Sequence, residues 1–316
     1  MIRYCFIKHC FPSTECGVAM VRVELLDYTR DGEKLIALAA KRSISLHASP
    51  KVSDEEVEKL VIETIKREDW TLWELSSYVL DVECSNVCVQ QIGTQLNQGY
   101  PSMLKDMLTE VGSRVGRSCG ASDYSCHILN LDEFEKKVSE ARNQVEEDTL
   151  LSAIERYIYV PNTIRQNREV YGEYIAYILV SIKLYLTMLA SGVLHEDAKY
   201  ILPQSMKSRI MVQMNARELA TSFLALKTCT RTQKELRCVA WRILMKLETV
   251  HPKLFSYIGP RCVLMENMVR ERPLRIRDVI DPDAKVEFTI SRCPEGVPRE
   301  SIRTCVINSY KSALDL

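Results

Sequence analysis

The residue types best suited to ligand chemistry lie close together at Asn215, Arg217 and Glu218. An asparagine side chain offers both donors and acceptors, and an arginine presents a permanently charged fork of five donors. Together they suit an anionic or heteroaromatic ligand. The chemistry alone favours a simpler alternative, a solvated helix face that carries a local ion pair.

A second candidate for anion binding is the glycine- and serine-rich stretch 113–125, which contains Arg114 and Arg117. Backbone amides and guanidinium groups in such a loop can cradle an anion. A plain surface loop is the favoured alternative. The charged run that follows, 132–147, is predicted to be an exposed helix or an arm on a neighbouring subunit.

The chain contains 12 cysteines, which is high for a cytosolic enzyme. No pair has the CxxC spacing of a zinc ribbon, and Cys262, Cys293 and Cys305 are widely spread, so no metal site is expected. Most of the cysteines are predicted to be small buried apolar residues. Structural disulfides, as in intracellular proteins of hyperthermophiles, are the alternative.

Composition gives no sign of nucleic-acid or membrane binding. The 316 residues have a formal net charge of zero, so no overall field attracts polyanions. The N-terminus lacks a signal peptide, and a cytoplasmic protein is expected. The most apolar run, 174–190, has Lys183 in its middle and is short for a membrane span, so it is predicted to be a buried central helix.

The elements that must position the candidate residues follow from hydrophobic periodicity. Apolar residues at helical spacing predict one helix from Met211 to Leu226 and another from Leu236 to Leu247, which ends before Pro252. A capping box at Ser53 and Glu56 predicts a helix that ends near Glu68. The remaining predictions are strands at 21–28, 75–84 and 286–290, and helices at 33–42 and 170–192.

Five short motifs occur in a fixed order in the C-terminal half. They are Leu202-Pro203, Asn215 to Leu219, Phe223 to Lys227, Gln233 to Arg237, and Phe255 to Cys262. In this order they resemble the flavin-dependent thymidylate synthases (ThyX). That resemblance implies an α/β (α+β) fold with a mostly antiparallel sheet packed against long helices. It also implies one domain, 1–316, with an atypical insertion at 107–155 and a C-terminal extension at 263–316.

The resemblance also implies roles for individual residues. Ser43, Thr71, Glu74, Asn215 and Arg217 fall at positions that bind FAD in the family, and Gln91, Lys199 and Lys227 at positions that bind the nucleotide. Lys199 and Lys227 stand where the family has arginines, so charge is kept but the bidentate fork is lost. In the family the sites lie between subunits of a tetramer, so a homo-oligomer, or a hetero-oligomer with a complete synthase, is expected.

The family signature, Arg-His-Arg followed by Ser-x-Arg-Tyr, is missing. Its first part falls on Thr94, Gln95 and Leu96, and its second on Leu104, Asp106 and Met107. Of the surrounding positions, Gln91 and Tyr100 survive. We therefore assign no catalytic residue.

Two functions are consistent with this pattern. The first is the family's reaction, in which FAD passes reducing equivalents from NADPH to a methylene group taken from methylenetetrahydrofolate and delivered to dUMP. The second is an inactive or repurposed paralogue that acts as a structural or regulatory subunit of a complete synthase. The loss of the signature beside intact C-terminal motifs favours the second, because each charge-assisted hydrogen bond is worth about 1.5–3 kcal/mol.

Overall fold

The computed structural model describes residues 21–45, 51–99 and 158–314. Its sheet has three antiparallel strands in the order β1–β2–β3, namely Arg22–Tyr28, Ser77–Ser85 and Lys207–Asn215. The central strand pairs Tyr78 with Tyr28 on one side, and Ser77 with Asn215 on the other. The predicted mixture of helices with an antiparallel sheet is confirmed.

Helices surround this sheet. Before the gap at residue 100 they are α1 (Gly32–Ile44), α2 (Asp54–Arg67) and α3 (Asn86–Gly99). After the gap they are α4 (Asn162–Arg165), α5 (Arg168–Ala190), α6 (His195–Ala198), α7 (Ala225–Lys227), α8 (Lys234–Val250), α9 (Pro252–Phe255), α10 (Arg261–Val269), α11 (Ile276–Ile280) and α12 (Arg299–Leu314). The predicted insertion at 107–155 and the loop at 113–125 lie outside the described residues.

Local sequence signals set the ends of α2 as predicted. The Ser53 hydroxyl accepts a hydrogen bond from the Glu56 amide, and the Glu56 carboxylate accepts one from the Ser53 amide. The helix ends at Glu68, which adopts a left-handed conformation with φ of 58°. Its buried face carries Val57, Val61 and Ile65 into the main core.

The predicted start of the helix at Met211 is wrong. Residues from Lys207 to Asn215 form β3, and helical structure begins only after it. The strand alternates as a half-buried strand does, with Ile210, Val212 and Met214 buried. Because Met211 is also apolar, the same run matched a helical period, and pairing with β2 decided the outcome.

The strand predicted at 286–290 is also absent. Its backbone bonds to a side chain instead of a neighbouring strand: the amides of Thr289 and Ile290 donate to the buried carboxylate of Glu266. Backbone amides that donate to a carboxylate cannot also form the hydrogen bonds that pair one strand with another.

The long helix α5 is buried on one face only. Ile175, Ile178 and Ile182 belong to a second hydrophobic cluster, whereas Tyr177 and Val180 are 63% and 61% exposed. The prediction of a buried central helix is therefore right for one face. By length and composition this helix could cross a membrane, but core helices of soluble proteins can have the same length and composition.

The C-terminal extension packs tightly against α8. Trp241 Nε1 donates to Ser309 Oγ at 3.1 Å, and Arg237 Nη2 donates to Ser312 Oγ at 3.0 Å. Residues of α12, including Ile302 and Val306, belong to the main core.

Candidate functional site

A short 3-10 helix, Trp70–Leu75, carries two of the predicted flavin-binding residues. Trp73 anchors this helix: it is fully buried and its Nε1 donates to Thr64 Oγ1 at 2.9 Å. Thr71 and Glu74 lie on the exposed side. The turn at Glu68 that ends α2 places this helix directly before β2.

The end of β3 brings Asn215 and Arg217 to the same place. The Ala216 amide donates to the Ser76 carbonyl at 2.8 Å, which fixes this end beside the start of β2. Asn215 Oδ1 accepts from the Glu218 amide at 2.8 Å, so the asparagine caps the following helical turns. Arg217 Nη1 forms an ion pair with Glu74 Oε1 at 2.5 Å. The structure therefore brings Glu74, Asn215 and Arg217 to one place.

The segment that Asn215 caps is π-helical, from Glu218 to Leu224, and runs into α7. Such wide turns are frequent at functional sites. Glu218 is buried at its start, and burial raises the pKa of this carboxyl, opposed by the charge of Arg217.

The predicted nucleotide-binding residues lie on three separate elements. Gln91, on α3, donates through Nε2 to Gln233 Oε1 at 2.8 Å. Lys227 is half-buried at the end of α7, and burial lowers the pKa of its ammonium group while the nearby Cys88 acts in the opposite direction. Lys199 is exposed in a short 3-10 turn, Lys199–Ile201. Ser43 is exposed in the last turn of α1, and its hydroxyl donates to the Ala40 carbonyl at 2.8 Å.

Sequence reasoning did not assign a role to Gln233 or Arg237, although both stand in the quoted Gln-x-Glu-Leu-Arg motif. Gln233 is the partner of Gln91 and precedes α8. Arg237 Nη1 donates to the carbonyls of Thr230 and Thr232 at 3.0 and 2.9 Å. This guanidinium thus holds the loop that follows Lys227, which makes Arg237 a positioning residue.

The positions of the missing signature are only partly described. Thr94, Gln95 and Leu96 lie in the second half of α3, beyond Gln91. Leu104, Asp106 and Met107, as well as Tyr100, lie outside the described residues. By the placement given above, this chain has Thr94, Leu96 and Asp106 where the family signature has three arginines that bind a dianionic nucleotide.

The described residues fit a flavin only in part. A flavin that carries a diphosphate needs cationic partners. Among the five predicted flavin-contacting residues the one cation is Arg217, and its guanidinium is paired with Glu74. Asn215 uses its Oδ1 atom to cap the next turn. These residues do not fit a tightly held flavin, so we assign no reaction step to one.

A family model described as "Thymidylate synthase complementing protein" matches residues 24–95 and 109–253, and the chain belongs to this family. The interruption at 96–108 contains most positions of the missing signature.

Curated relatives extend this similarity over nearly the whole chain. The flavin-dependent thymidylate synthase of Saccharolobus solfataricus is 32% identical over 303 residues, covering 94% of this chain and 99% of the relative. That of Aeropyrum pernix is 32% identical over 305 residues, covering 90% and 92%. That of Pyrococcus furiosus is 28% identical over 253 residues, covering 77% and 87%. The predicted family is confirmed.

Proposed function

We propose that this chain is a non-catalytic member of the flavin-dependent thymidylate synthase family, which co-assembles with a complete synthase as a structural or regulatory subunit. The observation that carries the proposal is that the six signature positions hold residues without positive charge, namely Thr94, Gln95, Leu96, Leu104, Asp106 and Met107. The scaffold around Asn215 and Arg217 is kept beside this loss.

Electrostatics support this choice over turnover of dUMP by the chain alone. A nucleotide phosphate is held best by bidentate arginine forks, and a lysine supplies a point charge without that geometry. Lys199 is exposed and Lys227 carries a desolvation penalty. Two such lysines do not replace the forks absent at Thr94, Leu96 and Asp106.

A second candidate function is the complete reaction, FAD-dependent methylation of dUMP to dTMP with methylenetetrahydrofolate and NADPH. The observation that favours it is the 32% identity, over nearly full length, to proteins named flavin-dependent thymidylate synthase. In that case Gln91, Lys199 and Lys227 bind the nucleotide, and Ser43, Thr71, Glu74, Asn215 and Arg217 contact the flavin.

Two measurements separate these functions. The first is the absorption spectrum of the purified protein, for which we expect no stoichiometric flavin. The second is tritium release from C5-labelled dUMP with FAD, NADPH and methylenetetrahydrofolate, with the Saccharolobus solfataricus relative as the positive control. We expect release by the relative and none by this chain. Clear release above a no-protein blank would establish the second candidate instead.

Co-assembly is tested separately. We expect the chain to co-purify with a complete synthase of the same organism when the two are co-expressed and only one of them carries an affinity tag. A full-length protein that never enters such a complex, although the synthase itself assembles, would refute the subunit role.

A further inference from the structure

A buried, sulfur-rich cluster lies where β2, α3 and α8 meet, and the proposed function makes no use of it. Cys84, Cys88 and Glu235 are all buried, and their sulfur and carboxylate oxygen atoms lie within 4.8 Å of one another. Among the described residues, no other three potential metal ligands lie this close to one another.

The backbone places these ligands in an arrangement used by structural metal sites. Cys84 lies near the end of β2, and Cys88 lies in the first turn of α3. Three residues separate them, within the C-x₂₋₄-C spacing of such sites. This spacing is one residue longer than CxxC, so the absence of a CxxC pair did not reveal it.

Ser85, between the cysteines, fixes the carboxylate. Its amide donates to Glu235 Oε1 at 2.6 Å, and its hydroxyl donates to Oε2 at 2.5 Å. The same hydroxyl oxygen accepts from the Cys88 amide at 3.2 Å. Hydrogen-bonded partners of this kind orient the ligands of a metal ion. Each carboxylate oxygen has a second lone pair with which to coordinate a metal.

Cys238 would supply the fourth donor after a movement of its side chain, because its sulfur lies outside the group within 4.8 Å. It lies three residues after Glu235 on α8, so the two side chains share one face of the helix. Its sulfur interacts electrostatically with Cys88 and accepts a hydrogen bond from Arg242 Nε at 3.3 Å. Lys207 lies near Glu235, and Lys227 lies near Cys88. These cations offset the negative charge that three thiolates and a carboxylate leave around a divalent ion.

We propose that Cys84, Cys88, Cys238 and Glu235 form a closed structural site for a thiophilic divalent cation, Zn²⁺ first. Zinc takes four ligands in a tetrahedron with Zn–S bonds of about 2.3 Å, which separates two sulfurs by about 3.8 Å. The ligand atoms of Cys84, Cys88 and Glu235, which already lie within 4.8 Å of one another, need to contract by only about 1 Å, and Cys238 would move further to complete the tetrahedron. The ion would join the start of α3, which carries Gln91, to α8, which follows Gln233.

The chain contains its own control. Four other cysteines, Cys229, Cys262, Cys293 and Cys305, line one cavity beside α12. Among the described residues, these four cysteines do not bring three potential ligand atoms within 4.8 Å of one another. A Cys293→Ser variant therefore removes a cysteine without removing a proposed ligand.

The test uses the full chain, purified under reducing conditions, stripped with a chelator and checked for folding by circular dichroism. Zn²⁺ is titrated against a chromophoric chelator, and Co²⁺ is added separately to record thiolate-to-cobalt charge-transfer bands. We expect one equivalent of Zn²⁺ and cobalt–thiolate bands for the unmutated chain and for Cys293→Ser. Cys88→Ser should lose both signals. Glu235→Gln should bind about tenfold or more weakly, since loss of even an outer partner costs about 10–100-fold.

Three results would overturn the proposal. One is a folded, reduced, unmutated chain that binds no Zn²⁺. Another is a signal that survives in Cys88→Ser and disappears in Cys293→Ser. The third is an intact mass that is lower by two hydrogen atoms, with Cys84 and Cys88 recovered as a disulfide from protein purified without added oxidant. If Cys88→Ser fails to fold, the stoichiometry of the unmutated chain and the weakening in Glu235→Gln decide the matter.

Discussion

By the family resemblance Lys227 stands in place of an arginine, and burial disfavours the charge of its ammonium group. If it still contacts a nucleotide, Lys227→Ala should weaken dUMP binding by about 1–3 kcal/mol, the cost of losing a bond to a charged group, with little change in Tm. Isothermal titration calorimetry measures this, with the exposed Lys246→Ala as the control. No heat of dUMP binding by the unmutated chain would mean that Lys227 is a remnant of the fold.

Tyr78 links a buried polar chain that the sequence did not reveal. Its hydroxyl accepts from Ser76 Oγ at 2.9 Å and lies 2.6 Å from His251 Nδ1, while His251 Nε2 lies 3.2 Å from the Arg30 carbonyl. Because that carbonyl only accepts, Nε2 carries the proton, and Tyr78 donates to Nδ1.

Tyr78→Phe should therefore destabilise the fold by about 1–3 kcal/mol, since it leaves the buried Nδ1 acceptor of His251 without its donor. Urea denaturation measures the change. Tyr177→Phe is the matched control, because Tyr177 is 63% exposed and should change stability little. Equal stability of the two variants would contradict the role given to the Tyr78 hydroxyl.

Individual site residues were predictable where a motif and a strand end coincide. Asn215 ends β3 and Arg217 comes two residues later, and Glu74 reaches Arg217 because β2 pairs with β3 from Ser77 onward. Gln91 has its partner Gln233 at 142 positions' separation, and no local pattern reveals such a pair. The cluster at Cys84 and Glu235 escaped for the same reason, since its ligands come from two distant segments.

Among the elements, the helices with local end signals and the strands β1 and β2 were predicted well, whereas β3 was not. The capping box of α2 and the Pro252 stop of α8 act within a few residues, so they can be found in the sequence. β3 requires β2, which lies more than a hundred residues earlier, to select the strand over a helix. The segment 286–290 has strand-like composition but meets Glu266 in place of a strand.

Glu266 fastens that segment to α10. Burial acts to raise the pKa of this carboxyl, but the backbone amide of Ile290, the Arg270 guanidinium, and the amide and hydroxyl of Thr289 together lower it. A pKa below the unfolded value means that the contribution to stability is present above the unfolded pKa and is lost as pH falls through the folded pKa.

Glu266→Gln should accordingly destabilise the fold by about 3 kcal/mol at pH 7. The substitution removes a buried charged carboxylate that accepts these hydrogen bonds, and it leaves some of the donors facing the NH₂ group of an amide. The difference from the unmutated chain should shrink as the pH falls through the lowered folded pKa of Glu266, where the unmutated carboxyl loses its charge as well. Urea denaturation at pH 7 and at a series of acid pH values measures both effects. The exposed Glu271→Gln serves as the control, and a difference that grows in acid would contradict the assignment.

The molecule as a whole exposes an apolar row on α5. Tyr177, Val180 and Leu184 are spaced so that they lie on one helix face, opposite the face buried on the second cluster. Contiguous apolar surface of this kind marks an interaction site. The resemblance implies an oligomer with sites between subunits, so we expect a second copy of the chain to cover this row.

In sedimentation without detergent the full chain should therefore form a symmetric oligomer, a tetramer by family resemblance, at micromolar concentration. Val180→Asp should shift it to a smaller species, because burying an unpaired carboxylate in an apolar contact costs several kcal/mol. Val269→Asp is the matched control, since Val269 is 70% exposed on α10, away from the row. A monomer at this concentration would exclude sites between copies of this chain, and flotation of that monomer with lipid vesicles would assign the row to a membrane.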